Sequence, residues 1–150
     1  MVRKFPATTA TYVVSLQRKL SKALDRFESS YHRLPPMKST VESYTDEELG
    51  SYDEFMSRFA RLTDIFLSQY IRARLQIEDP AFRGSLLDSL NLAEKLGMID
   101  SAKAWYEIRE LRNRQAHEYE EEELIKLFKQ TIDEVPRISS VRSMLNYAPR

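Results

Sequence analysis

The stretch SYDEFMSRFARLTDIFLSQYIRARLQIEDP, residues 51–80, decides the fold class. Phe55, Phe59, Leu62, Phe66 and Tyr70 recur at intervals of three and four, the spacing that lines side chains along one face of an α-helix. Ile65 and Leu75 widen the stripe. A half-buried strand would alternate apolar and polar residues with a period of two. Asp79-Pro80 ends the pattern, because proline pushes the residue before it out of helical geometry. The spacing predicts one long amphipathic helix starting near Ser51.

The same period extends in both directions. Leu16, Leu20, Leu24 (with Ala23), Phe27 and Tyr31 predict a first helix over about residues 9–34, ended by Pro35-Pro36. Arg18, Lys22, Arg26 and Glu28 form its polar face. Residues 37–50, with the cluster Thr45-Asp46-Glu47-Glu48, read as a polar connection holding either a short helical turn or a flexible loop. Leu86, Leu87, Leu90 and Ala93 predict a third helix over about residues 84–96, and Gly97 is placed to stop it. Ser101 caps a fourth helix with Ala104, Trp105, Ile108 and Leu111 on its apolar side. The last helix opens in the glutamates 120–123, carries Leu124, Leu127, Phe128 and Ile132, and meets Pro136. Residues 1–8 and 138–150 are expected to be flexible or peripheral. With three glycines in 150 residues, the chain reads as one all-α domain, an antiparallel bundle of about five helices.

Composition narrows the functional classes. At 42% hydrophobic and 31% charged residues the chain is neither a disordered tail nor a membrane protein. Its 23 basic and 23 acidic residues balance, so a phosphate-binding surface must be local rather than global. The absence of cysteine removes disulfides and thiolate metal sites. No stretch has the apolar core of a signal peptide or the length of a bilayer span. A cytoplasmic protein is the expectation, with no metal or cofactor.

Chemistry concentrates in Arg112-Asn113-Arg114-Gln115-Ala116-His117-Glu118-Tyr119. An arginine five places before a histidine is weak evidence in a chain with 15 arginines, as the sequence shows. Requiring Asn113 beside Arg112, and Tyr119 two places after His117, makes the constellation much more specific. The chain has only two histidines. His32, near the end of the first helix, has no matching arginine and reads as a surface residue favoured by the helix dipole.

The pattern Arg112-Asn113…His117-Glu118-Tyr119 resembles the R-polar-x-x-x-H-x-Y motif of HEPN-domain toxins paired with minimal nucleotidyltransferases. The resemblance is strongest over residues 86–132, in the order helix, Gly97 stop, Trp-bearing helix, motif, glutamate-led helix. It implies a homodimeric, metal-independent endoribonuclease toxin. It also implies a nucleotidyltransferase antitoxin, using ATP, that in some members AMPylates the tyrosine matching Tyr119.

Metal-free RNA cleavage needs a base for the 2′-hydroxyl, an acid for the leaving oxygen and a cation for the phosphorane charge. Imidazole is the side chain in this run that exchanges protons near neutral pH, which assigns His117 the proton transfer. Arg112 supplies a permanent forked donor, and Asn113 orients either residue or the substrate. Arg109 and Arg114 are additional phosphate contacts. DNA lacks the attacking 2′-hydroxyl. One chain supplies one motif imidazole, so a two-fold dimer that brings both His117 rings into one cleft completes the pair. On a straight helix Arg112 and His117 lie roughly 140° apart. Either the helix distorts near Ala116, or Arg112 reaches the cleft through its length and the partner subunit.

Plainer roles exist for each residue. Arg112, Arg109 and Arg114 can form surface ion pairs with nearby acids, glutamates in the case of Arg112. His117 can be a helix C-terminal histidine, and Tyr119 an ordinary half-buried ring. Trp105 and the series Phe55, Phe59 and Phe66 read as core or dimer packing rather than base-stacking platforms. The glutamate run reads as an acidic first helical turn. The alternative function is a non-catalytic, nucleotide-binding or docking subunit of a nucleotidyltransferase, which the zero net charge and acidic flank favour.

Overall fold

The structure, a computed structural model, describes residues 5–117 and 120–149. Every regular element among them is helical. Helix α1 spans Phe5–His32. After a 3-10 turn at Val41–Ser43, α2 runs Asp46–Ile65, passes through a π-turn at Phe66–Tyr70 and continues as α3, Ile71–Glu78. Helices α4 (Leu86–Lys95), α5 (Ala102–Gln115) and α6 (Glu121–Asp133) follow. A short α7, Val135–Ser139, leads into a 3-10 turn at Ser140–Met144. The expected all-α bundle is present, with α2 and α3 forming the one long rod and α7 added beyond the last expected helix.

That rod is the axis of the molecule, and α1 and α5 run antiparallel to it. Against α1, the Phe27 and Phe55 rings stack at 5.2 Å. The Arg26 carbonyl accepts a bond from Arg58 at 2.9 Å, and the Tyr12 hydroxyl donates to Gln69 at 3.3 Å. Against α5, Phe66 meets Trp105 at 4.7 Å, while Gln115 bonds to Met56. Residue numbers fall along the neighbours as they rise along the rod. Leu16, Leu20, Leu24, Phe27, Phe55, Phe59, Leu62, Phe66, Tyr70 and Trp105 are all buried. Each such side chain contributes about 1.5–3 kcal/mol by leaving water. Trp105 and the phenylalanines are therefore core residues.

Helix α2 begins five residues before the expected Ser51 because its start is capped. Thr45 Oγ1 accepts from the Glu48 amide at 3.1 Å, and Glu48 Oε1 accepts from the Thr45 amide at 2.9 Å, a reciprocal capping box. The bond from the Thr45 backbone, then the Lys38 ammonium at 2.9 Å, hold the Glu48 carboxyl below its usual range. Asp46, Glu47 and Glu48 complete an acidic first turn that suits the helix dipole. The preceding connection is ordered by Tyr44, whose buried ring meets Tyr52 edge-on at 5.5 Å.

The π-turn was not legible in the apolar period. Ile71 donates to the Phe66 carbonyl, five residues back, so the turn admits one extra residue. The wider turn buries Ile65, Phe66 and Leu67 consecutively and keeps Tyr70 and Ile71 in the core. At the other end, Gly97 takes φ 77. Its amide bonds to the Glu94 carbonyl at 3.0 Å and the Met98 amide to the Ala93 carbonyl at 2.8 Å, which closes α4 in a Schellman motif.

The segment after 138, expected to be flexible or peripheral, packs into the molecule. Ile138 and Val141 are buried. Gln17 donates to the Tyr147 carbonyl at 3.0 Å and accepts from the Tyr147 amide at 3.0 Å. The Tyr70 hydroxyl lies 2.8 Å from Gln17 Oε1 and 2.9 Å from the Met144 carbonyl. Pro136 sits in the first turn of α7, where its missing amide proton costs nothing.

Two expectations follow for stability. Replacing Gly97 by alanine meets no atom within 4 Å, so the cost is purely that of a left-handed residue with a Cβ, about 1 kcal/mol in chemical denaturation. Tyr52 donates to the Pro35 carbonyl at 2.7 Å, and burial pushes its hydroxyl from 10.0 up to about 12. An unfolded tyrosine ionises first, so stability is unaffected below pH 10 and falls as pH rises from about 10 to about 12. A shallower loss over that interval in Tyr52→Phe, followed by unfolding midpoints, is the expected result.

Candidate functional site

Helix α5 places the motif. Ser101 Oγ accepts from the Ala104 amide at 3.0 Å and the Glu94 carboxylate accepts from the Ala102 amide at 3.1 Å, fixing its start. Ala102, Trp105, Ile108 and Leu111 anchor it to the core. Arg109, Arg112 and Gln115 border that buried face, and each side chain reaches across to α2.

Arg112 forms a two-bond fork with Asp64. Its Nε lies 3.1 Å from Oδ1 and its Nη2 3.0 Å from Oδ2. Arg109 Nη1 approaches Asp64 Oδ1 at 3.5 Å. One carboxylate thus sits between two guanidinium groups, leaving one unit of positive charge in the cluster. The side chains stay partly open to solvent, with 25% of Arg112, 29% of Arg109 and 40% of Asp64 exposed. Gln115 Nε2 donates to the Met56 carbonyl at 2.9 Å, so two tethers bind the end of α5 to α2.

The last turn of α5 tightens. The Ala116 amide bonds to the Asn113 carbonyl at 3.1 Å and the His117 amide to the Arg114 carbonyl at 3.2 Å, both three residues back. The His117 backbone is thereby tied back to Arg114. Of the two alternatives drawn from the sequence, the backbone does depart from α-helical bonding near Ala116, but Arg112 turns to Asp64 rather than toward His117. Asn113, Arg114 and His117 are exposed, while Arg112 turns inward to Asp64. Among the candidates, the structure brings Arg109 and Arg112 together at Asp64 and leaves Asn113, Arg114 and His117 exposed. It does not join the two groups within one chain. Tyr119, the AMPylation candidate, lies outside the described residues.

The surroundings are electrically divided. Arg112 and Arg114 complement the negative end of the α5 dipole. Beyond residues 118–119, Glu120 precedes α6 without a side-chain capping bond, and Glu121, Glu122 and Glu123 form its first turn, as read from the glutamate run. Glu42, Glu120, Glu121 and Glu122 line an open cleft of about 420 Å³ with Ser39, Thr40, Val41 and Ile125. Among the described residues no group of three or more His, Asp or Glu side chains is arranged to hold a metal ion. None of their helices is long and apolar enough to cross a membrane.

Asp64 is the residue of the candidate site that sequence reasoning missed. An arginine partner was expected among nearby glutamates, whereas the bond spans 48 residues. The available signal was a lone acid within Leu62-Thr63-Asp64-Ile65-Phe66-Leu67, where most neighbours are buried. Comparison with protein-family models, curated proteins and solved structures gave no match.

The partial exposure of the fork limits its worth to stability. A double-mutant cycle on Asp64→Ala and Arg112→Ala is expected to give a coupling of about 0.5–1 kcal/mol. The coupling should shrink in molar salt. Denaturant titrations of the four proteins at two salt concentrations measure both quantities.

Proposed function

We propose that the chain is a HEPN-like endoribonuclease toxin, acting as a homodimer and held in check by a nucleotidyltransferase antitoxin that uses ATP. The observation that carries this reading is the end of α5. There Asn113, Arg114 and His117 face solvent, while Asp64 gathers Arg109 and Arg112 on the side of α5 turned to α2. In a chain of zero net charge, residues 109–117 thus carry three arginines and an accessible imidazole.

The reaction is an intramolecular transesterification. His117 takes the proton of an RNA 2′-hydroxyl, and that oxygen attacks the adjacent phosphorus. The bond from phosphorus to the 5′-oxygen breaks, and the leaving oxygen receives a proton from the imidazolium of the two-fold mate. The products are a 2′,3′-cyclic phosphate and a 5′-hydroxyl. Arg112, with Arg109 and Arg114, neutralises charge on the phosphorane, and Asn113 holds the substrate. Opposed directions for Arg112 and His117 favour a composite cleft, with the cation of one subunit serving the imidazole of the other.

The acidic cleft favours a second reading, a non-catalytic docking subunit of a nucleotidyltransferase. Glu42 and the glutamates 120–122 repel RNA phosphates and suit a basic protein surface. Toxicity on expression separates the two readings.

Purified protein is expected to cleave single-stranded or loop RNA. His117→Ala and Arg112→Ala should each lower the rate by at least about 100-fold with circular dichroism unchanged. Full activity in both variants, with contaminating nucleases excluded, would sink the ribonuclease assignment.

A further inference from the structure

We infer that Asp64 is the positioning residue of this site: it holds Arg112 side-on and leaves the end of the guanidinium free for an RNA phosphate. The inference rests on the ribonuclease reading of Arg112. A guanidinium carries five N–H donors in a rigid plane. Asp64 engages Nε and one proton of Nη2. Among the described residues this leaves three donors, two on Nη1 and one on Nη2, and the Nη1/Nη2 edge still presents a complete fork for two phosphate oxygens. The carboxylate therefore orients the cation without consuming its second recognition edge.

Charge and placement support the same role. Asp64 offsets one of two arginines, so the cluster keeps the sign that attracts phosphate. It also lets Arg109 and Arg112 stand close together, which mutual repulsion would otherwise oppose. Asp64 is the penultimate residue of α2, and the π-turn begins at Phe66. The core residues Leu62, Ile65 and Phe66 fix the backbone on both sides of it. A carboxylate on so rigid a support fixes the reach and angle of a long, flexible side chain.

The test uses single-turnover cleavage of a single-stranded RNA and binding of the same strand carrying 2′-O-methyl groups. Wild type, Asp64→Asn, Asp64→Glu, Arg112→Ala and the Asp64→Asn/Arg112→Ala double variant are compared, with Tm recorded for each. Asp64→Asn should slow cleavage by about 100-fold with a smaller change in KM. The double variant should be about as slow as Arg112→Ala, because Asp64 acts chiefly through Arg112, which it holds by two bonds against one longer approach to Arg109. Asp64→Glu should recover part of the rate. A purely bracing role would instead make rate loss follow Tm and add to that of Arg112→Ala. Additive losses, unchanged cleavage by Asp64→Asn, or faster cleavage would each overturn the inference while leaving the ribonuclease reading intact. If wild type binds the methylated strand but cleaves no RNA, the ribonuclease reading falls. Positioning then stands only if Asp64→Asn weakens binding as much as Arg112→Ala. If wild type neither binds nor cleaves, both fall.

Discussion

Burial of the α2–α3 rod between α1 and α5 is the constraint on which the other features depend. A helix packed against neighbours on two sides must be apolar over more than one narrow stripe, and the run Ile65-Phe66-Leu67 meets that demand near the middle of the rod. A regular α-helix would turn these three side chains through a wide arc. The π-turn at Phe66–Tyr70 changes that arc locally, at the level where Trp105 of α5 packs on Phe66. The packing of α5, and so the direction in which its final turn points, is inherited from this level of the rod.

The polar contacts refine what packing begins. Asp64 and the Met56 carbonyl receive Arg112 and Gln115 from the same side of α5. Neither contact is a large source of stability, since partly exposed ion pairs contribute little. Their value is directional. They prevent the end of α5 from rolling on α2, and this separates an inward arginine from an outward imidazole. A neutral chain gains a cationic locus in this way without a generally basic surface.

The bundle was legible because helix-period stripes survive in sequence as plain spacing. Leu16 to Phe27 and Phe55 to Tyr70 are core in the structure as in the pattern, and Gly97 and Ser101 serve as the stop and cap their types suggest. What escaped was interaction that changes the meaning of a residue. Thr45-Asp46-Glu47-Glu48 has the composition of a loop, yet the reciprocal bonds of Thr45 and Glu48 make it a helix start. The π-turn keeps helical spacing on either side and shows only as three consecutive apolar residues. The site was half legible. The motif marked α5, but its partner Asp64 comes from a helix 48 residues away, and nothing in the local spacing of Arg112 points there.

The pair of hydrogen bonds between Gln17 and Tyr147 has a kinetic meaning. It closes a separation of 130 residues, so the entropy of bringing those ends together must be met before the contact returns any energy. Contacts along α1 and the rod, or α4 and α5, span far shorter loops and form under less constraint. The segment 140–147 should accordingly dock last in folding and release first in unfolding. Tyr70 bonds to that segment at Met144 while its ring belongs to the core. The hydroxyl of one tyrosine thus reports the final step of assembly from the centre of the structure.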